Sequence, residues 1–113
     1  MAKSNKPVVW GLFAAGGTVA AFLMPALIAL TLLAALGHAP AILSYDRLHA
    51  LAAHWAGKAA LFGVVFLALW HSAHRLRITL HDFGVRCDTL VAVSVYLAAA
   101  AGTLACIVNL LNI

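Results

Sequence analysis

The amino-acid sequence predicts an all-α membrane protein with three transmembrane helices. Hydrophobic residues make up 65% of the 113 residues and charged residues only 9%, whereas a soluble domain carries about 25% charged residues. The mean hydropathy is +1.05. A chain so poor in charge could not cover a water-facing surface, so it belongs in a lipid bilayer. Its apolar residues concentrate in three stretches, and the chain is long enough for three crossings of roughly 20 residues each.

The length of the chain limits its organisation to one membrane domain over residues 1–113. We place the spans at roughly 9–36, 54–80 and 88–112, which leaves room for short connections and no soluble domain. A bundle of three helices is thin. We therefore expect this domain to be part of a larger bundle that includes helices of partner subunits.

The first apolar stretch runs from Val8 to Leu36 without a charged residue. It is too long for the hydrophobic region of a signal peptide, and Pro25 lies within it, where a kink is expected. The second stretch centres on Ala59 to Trp70. The third runs from Thr89 to Ile113 and contains no charged side chain.

The distribution of cationic residues predicts the orientation of these spans. Five of the seven lysines and arginines lie before the first span or between the second and third: Lys3, Lys6, Arg75, Arg77 and Arg86. Positive loops stay in the cytoplasm, so we predict that the N-terminus faces the cytoplasm. The same asymmetry accounts for the net charge of +4, and no nucleic-acid partner is expected.

A polar segment, HSAHRLRITLHD, follows the second apolar stretch directly at residues 71–82. At 100° per residue, several of its side chains share an arc of about 120°: His71, His74, Arg75, Ile78, His81 and Asp82. Ionisable groups at membrane depth normally face protein, water or a ligand. An arginine can donate to a carbonyl oxygen and a histidine can exchange a proton near neutral pH, which are the two interactions that a quinone headgroup requires.

Simpler interpretations stand beside this one. Arg75 and Arg77 could be interfacial anchors that contact lipid headgroups. His81 and Asp82 could cap and solvate the end of the helix. The remaining histidines could be solvated residues in or near the first loop: His38, His49 and His54.

Trp10 begins a second candidate site, on the same side of the membrane as Arg75. Its indole N–H could donate to a quinone oxygen, or the residue could belong to the interfacial tryptophan belt. The small residues AAGG follow at positions 14–17, where they would let a second helix, or a flat ring beside Gly17, approach the backbone closely.

Four segments together resemble one known family: VVWGLFAAGG at 8–17, MPALI at 24–28, LSYDRL at 43–48 and LWHSAHRLRITLHD at 69–82. They are similar, in the same order, to the D-type membrane-anchor subunit of bacterial quinol:fumarate reductase. The resemblance implies a non-catalytic, multi-pass anchor in the bacterial cytoplasmic (inner) membrane, in a complex with a C-type anchor, an iron–sulfur subunit that carries the clusters and a flavoprotein subunit that carries FAD. The sequence has no C-x-x-C spacing, so we expect no metal site in this chain.

The resemblance also implies a menaquinone site on the cytoplasmic side of the membrane. Trp10 matches the family's tryptophan near the quinone, and His74 and Arg75 match its His-Arg pair. Partner subunits would supply the remaining ligands. The expected role is therefore to help deliver electrons from menaquinol to fumarate during anaerobic respiration.

His71 leaves an alternative open. Related succinate dehydrogenase anchors ligate haem b with a histidine in this region, so His71 is a candidate haem ligand, although it could simply form hydrogen bonds inside the bundle. A different class of function, a small proton or cation pathway, is suggested by the histidines. The second and third spans carry no ionisable residue at mid-membrane, however, which leaves such a pathway without intermediate sites.

Overall fold

A computed structural model of the chain describes residues 4–113 and contains three long helices and a short one. Lys3, one of the residues behind the predicted orientation, lies outside the described residues. The long helices are α1 (Lys6–Ala35), α3 (Trp55–Asp82) and α4 (Asp88–Leu111), and the short helix is α2 (Tyr45–Ala53). A single 3₁₀ turn, Ala41–Leu43, precedes α2.

The three long helices confirm the predicted fold class. They contain 30, 28 and 24 residues and are long and apolar enough to cross a membrane. At 1.5 Å per residue they span about 36 to 45 Å, which exceeds the roughly 30 Å hydrocarbon core. Helix α1 continues through Pro25.

Helix α2 lies in the first connection, where the sequence predicts only a loop. Asp46 lies in its first turn, where a negative charge stabilises the helix by interacting with the positive end of its dipole. His49 is an exposed residue on this helix, and His38 is exposed in the turn after α1. His54 has a structural role, because its Nδ1 accepts a hydrogen bond from the backbone N–H of Ala56 (3.2 Å) and caps α3.

Glycine follows the C-terminal ends of α1 and α3. Gly37 after α1 and Gly84 after α3 have φ angles of +80° and +89°, a conformation that disfavours side chains with a Cβ atom. At the end of α3, Val85 N–H donates to the Leu80 carbonyl oxygen (3.0 Å), which closes the helix. These turns let the chain reverse direction, so that α3 and α4 lie antiparallel.

Helix α3 is the central helix, with α1 on one side and α4 on the other. Its small core against α4 consists of Ala73, Val95 and Ala99, covered by Leu69, Trp70, Val91 and Tyr96. On the other side, α1 approaches α3 through Gly16, which is buried. A Cβ atom at Gly16 would lie only 2.6 Å from the Leu67 carbonyl oxygen, so the two backbones are in close contact.

Most large apolar side chains point outward. Phe22, Phe83 and Leu111 are examples, each more than 70% exposed. In water such a surface would be strongly unfavourable, whereas in a bilayer it contacts lipid tails or neighbouring helices. The chain is therefore a multi-pass membrane protein.

Candidate functional site

The candidate site is an open groove of about 1040 Å³ at the end of the bundle where α1 begins and α3 ends, called here the Trp10 end. Helix α1 supplies Trp10 and Phe13, α3 supplies Trp70 and His74, and α4 supplies Tyr96. These residues meet because the helices alternate in direction. The other lining residues are Asn5, Lys6, Pro7, Val9, Leu12, Phe66 and Leu67.

Of the α3 side chains that line the groove, His74 is the one that can ionise. It lies where all three long helices meet. Its Nδ1 atom is 2.9 Å from the hydroxyl oxygen of Tyr96 on α4. Its ring makes an edge-to-face contact with Phe13 on α1, with 4.8 Å between ring centroids. The side chain is half-buried. Two helices therefore hold the imidazole in place while part of it stays accessible from the groove.

Tyr96 is held in turn by neighbours on α3. Its ring stacks on Trp70, with centroids 5.9 Å apart and an interplanar angle of 20°. The guanidinium carbon of Arg77 lies 5.9 Å from the centre of the same ring, within the range of a cation–π interaction. The tyrosine hydroxyl is thus directed towards His74 by contacts on its own ring.

Arg77 also joins the two ends of the α3–α4 connection. Its Nε atom donates to Asp88 Oδ1 (2.9 Å) and its terminal nitrogen to Asp88 Oδ2 (2.5 Å). This two-bond geometry is the strongest arrangement for an arginine and a carboxylate. A series of contacts therefore runs from Asp88 through Arg77 and Tyr96 to His74.

The predicted quinone residues occupy different environments. Trp10 lines the groove with His74, and this tryptophan is 71% exposed. Arg75 is exposed and does not line the groove, and its side chain forms no hydrogen bond or ion pair with another residue of the described range 4–113. Arg75 and His74 are adjacent in sequence, but one helical residue is a rotation of about 100°, so they face different surroundings. A quinone role for Arg75 stays a prediction.

Gly17 and His71 contact each other in the seam between α1 and α3. A Cβ atom at Gly17 would lie 2.8 Å from the Cε1 atom of the His71 ring. The Nδ1–H of His71 donates to the backbone carbonyl of Phe13 (3.0 Å), and the two rings stack at 4.5 Å. The small residues of α1 thus leave space for the imidazole of His71 on α3. A role for Gly17 in quinone binding stays a prediction.

The geometry at His71 bears on the haem alternative. A hydrogen bond from Nδ1–H to a carbonyl leaves Nε2 as the nitrogen for a metal, a common arrangement for ligating histidines. The Phe13 ring, however, covers one face of the imidazole, and Gly17 lies at its edge. Within residues 4–113 no group of three or more histidines, cysteines or acidic residues could hold a metal ion. Ligation of haem by His71 stays a prediction.

The candidate site drawn from the sequence lacks several residues of this region, namely Phe13, Trp70, Arg77, Asp88 and Tyr96. Tyr96 is the one tyrosine in the third apolar stretch, and Asp88 is the acid directly before that stretch. Both residue types are unusual in such a segment, so the sequence already marked them as candidates. What the sequence did not show was their partners, because His74 and Tyr96 are 22 residues apart.

The chemistry of the groove suits a flat, mostly apolar molecule with a polar edge. Aromatic and aliphatic side chains form nearly all of its walls. The indole N–H of Trp10 is a donor, and the free ring nitrogen of His74 is a donor or an acceptor according to its tautomer. Pockets of this kind orient a ring by a few polar contacts and bind it by apolar burial.

Comparisons with known proteins identify similar sequences over nearly the whole chain. The sequence model of the family described as the D-type subunit of fumarate reductase matches residues 1–111. The D-type fumarate reductase subunit of Shewanella sp. (strain W3-18-1) is 35% identical over 103 residues, which cover 89% of this chain and 85% of the relative. That of Aliivibrio fischeri (strain MJ11) is 34% identical over 108 residues, covering 94% and 90%. That of Mannheimia succiniciproducens is 37% identical over 84 residues, covering 74% and 70%.

Proposed function

Because the chain belongs to the family of D-type fumarate reductase subunits, we propose that it is a membrane-anchor subunit of a quinol:fumarate reductase in the bacterial inner membrane. The catalytic chemistry on fumarate then belongs to a flavoprotein subunit, to which an iron–sulfur subunit passes electrons. A second, C-type anchor packs against the apolar outer surface of this bundle. The three apolar helices and the extensive exposed apolar surface support an anchoring role.

The groove at the Trp10 end is the proposed site for menaquinol. The observation that carries this proposal is that Trp10 and His74, 64 positions apart in the sequence, line one groove with apolar walls. The naphthoquinone ring would pack against Phe13 and Trp70. Trp10 would donate its indole N–H to one oxygen of the ring, and His74 would contact the other.

The residues of the groove serve the chemistry of a quinol. Oxidation of a quinol releases two electrons and two protons, and a histidine can accept a proton at neutral pH. The electrons leave to the iron–sulfur clusters of the partner subunit. Arg75, exposed beside the groove, would meet the partner subunits or a quinone oxygen at their interface, where a guanidinium supplies donors.

The test is fumarate reduction by the assembled complex in membranes, measured once with a menaquinol analogue and once with a soluble electron donor. We expect Trp10→Phe, which removes the indole N–H, to lower the quinol-linked kcat/KM by about 3- to 10-fold, the worth of one hydrogen bond. His74→Ala should lower it by about 100-fold, because it removes a proton acceptor. Fumarate reduction with the soluble donor reports the amount of assembled enzyme, and the quinol-linked activity of each variant is normalised to it.

Trp55→Phe is the matched control. Trp55 is equally exposed, at 76%, but it lies at the opposite end of α3. The Trp55→Phe variant should leave both the quinol-linked and the soluble-donor activity unchanged. Equal loss of the two activities in Trp10→Phe and His74→Ala would show a failure of assembly, and unchanged quinol-linked activity in both variants would refute the quinol site.

A further inference from the structure

We propose that Tyr96 is a positioning residue for His74: its hydroxyl group holds Nδ1 of the imidazole and thereby presents Nε2 to a quinol in the groove. The inference rests on the proposed function, and it assigns a role to a residue of α4, the helix whose sequence pointed to no function. The contact that carries it is the 2.9 Å separation between the Tyr96 hydroxyl oxygen and His74 Nδ1.

Two contacts restrict the rotation of the His74 ring. A histidine side chain turns about two bonds, so a ring free to turn would place Nε2 in the groove only part of the time. Here the Phe13 ring makes an edge-to-face contact with the imidazole, with 4.8 Å between ring centroids, and the Tyr96 hydroxyl holds Nδ1. With both contacts in place, Nε2 is the ring nitrogen left for a molecule in the groove.

Tyr96 is itself held in place by two side chains of α3. Trp70 stacks on its ring and the Arg77 guanidinium lies 5.9 Å from the ring centre. Arg77 is in turn bound through two hydrogen bonds to Asp88, at the start of the same helix as Tyr96. The α3–α4 hairpin of this one chain therefore builds the support for His74 without help from a partner subunit.

The tautomer of His74 decides whether its Nε2 atom can accept a proton from the quinol. In quinol oxidation the O–H bond of one hydroxyl breaks and an N–H bond forms at His74 Nε2, while two electrons leave to the partner's iron–sulfur clusters. The proton of the second hydroxyl passes to water. An Nε2 that accepts a proton requires Nδ1 to carry hydrogen, and the Tyr96 oxygen then accepts a hydrogen bond from Nδ1–H. The hydroxyl can accept this bond as well as donate one, so the contact is compatible with the tautomer that quinol oxidation needs, and as an acceptor the hydroxyl stabilises the imidazolium that results.

The decisive variant is Tyr96→Phe, which removes the hydroxyl and keeps the ring that packs on Trp70. Tyr45→Phe is the matched control: it makes the same change at an exposed residue of α2, in the connection at the other end of the bundle. We expect Tyr96→Phe to lower the quinol-linked kcat by about 5- to 10-fold with little change in KM, normalised to soluble-donor activity in the assembled complex. Tyr45→Phe should change neither constant.

A double variant shows whether Tyr96 acts through His74. In the His74→Ala background, Tyr96→Phe should cause no further loss of kcat, because the group that it positions is absent. If the two losses multiply instead, Tyr96 acts independently and the inference is wrong. A changed KM with unchanged kcat would overturn it as well, since that result indicates a direct binding contact.

The same assays distinguish a failure of the proposed quinol site from a failure of the role of Tyr96. If His74→Ala itself leaves quinol-linked activity intact, the proposed function fails and the role of Tyr96 fails with it. If His74→Ala abolishes that activity while Tyr96→Phe behaves like Tyr45→Phe, the quinol site stands and only the positioning role is refuted.

Discussion

Two arginines that are two residues apart in the sequence have different environments in the structure. Arg77 is half-buried and forms two hydrogen bonds with Asp88, whereas Arg75 is exposed. On a helix these positions are rotated by about 200° from each other. Arg77 therefore stabilises the α3–α4 hairpin, and Arg75 remains available to a partner subunit, a lipid headgroup or a quinone.

This difference predicts opposite phenotypes for matched substitutions. Arg77→Leu should lower the melting temperature of the detergent-solubilised complex, because it leaves Asp88 without its cation. Arg75→Leu should leave that temperature unchanged but abolish quinol-linked fumarate reduction, with soluble-donor activity retained. Differential scanning fluorimetry and the two activity assays measure these outcomes.

A second variant isolates the ion pair itself. Exchanging the two charges, with Arg77→Asp and Asp88→Arg together, should recover part of the stability that either single change loses. Equal melting temperatures for Arg77→Leu and Arg75→Leu would show that the contact with Asp88 contributes nothing to the hairpin, as happens for many exposed ion pairs.

At the scale of the helix, the association of α1 with α3 depends on the absence of a side chain at one position. A Cβ atom at Gly16 would lie 2.6 Å from the Leu67 carbonyl oxygen and 2.8 Å from His71 Cβ. Both distances are below van der Waals contact, and a backbone atom is not readily displaced. Because α1 carries Trp10 and α3 carries His74, this seam determines the width of the groove.

Gly16→Ala should therefore separate the two helices, lower the melting temperature of the complex and reduce quinol-linked activity. Gly63→Ala is the control, since a Cβ atom there meets nothing within 4 Å. In a helix alanine is favoured over glycine by about 1 kcal/mol, so this control should be neutral or slightly stabilising. The prediction fails if the two variants have the same melting temperature.

At the scale of the whole molecule, the orientation in the membrane follows from charge and is open to direct measurement. Cys87, an exposed free thiol in the α3–α4 connection, lies at the Trp10 end. If that end faces the cytoplasm, as the cationic residues predict, a membrane-impermeant maleimide should label Cys87 in inverted membrane vesicles and not in intact spheroplasts.

Ala39→Cys in a Cys87→Ser background provides the complementary measurement. Ala39 is an exposed residue between α1 and α2, at the opposite end of the bundle. It should be labelled in spheroplasts and protected in inverted vesicles. The reverse pattern at both sites would overturn the predicted orientation and move the groove to the other face of the membrane.

The polar segment 71–82 shows how far the sequence could lead at the site. Helical periodicity placed His71, His74 and Arg75 in one arc of about 120°. The structure divides that arc: His71 contacts α1, His74 contacts both α1 and α4, and Arg75 is exposed. Periodicity describes the angle between residues of one helix, but it carries no information on which neighbouring helix each angle faces.

The sequence by itself determined that this chain is an all-α membrane protein with three long helices, because apolar composition and span length are local properties. It also showed where ionisable side chains collect. Only the tertiary structure decided which of them share a site. Trp10, His74 and Tyr96 come together through contacts between three helices, and such contacts depend on how helices rotate and pack against one another, as at Gly16, rather than on any property of one segment.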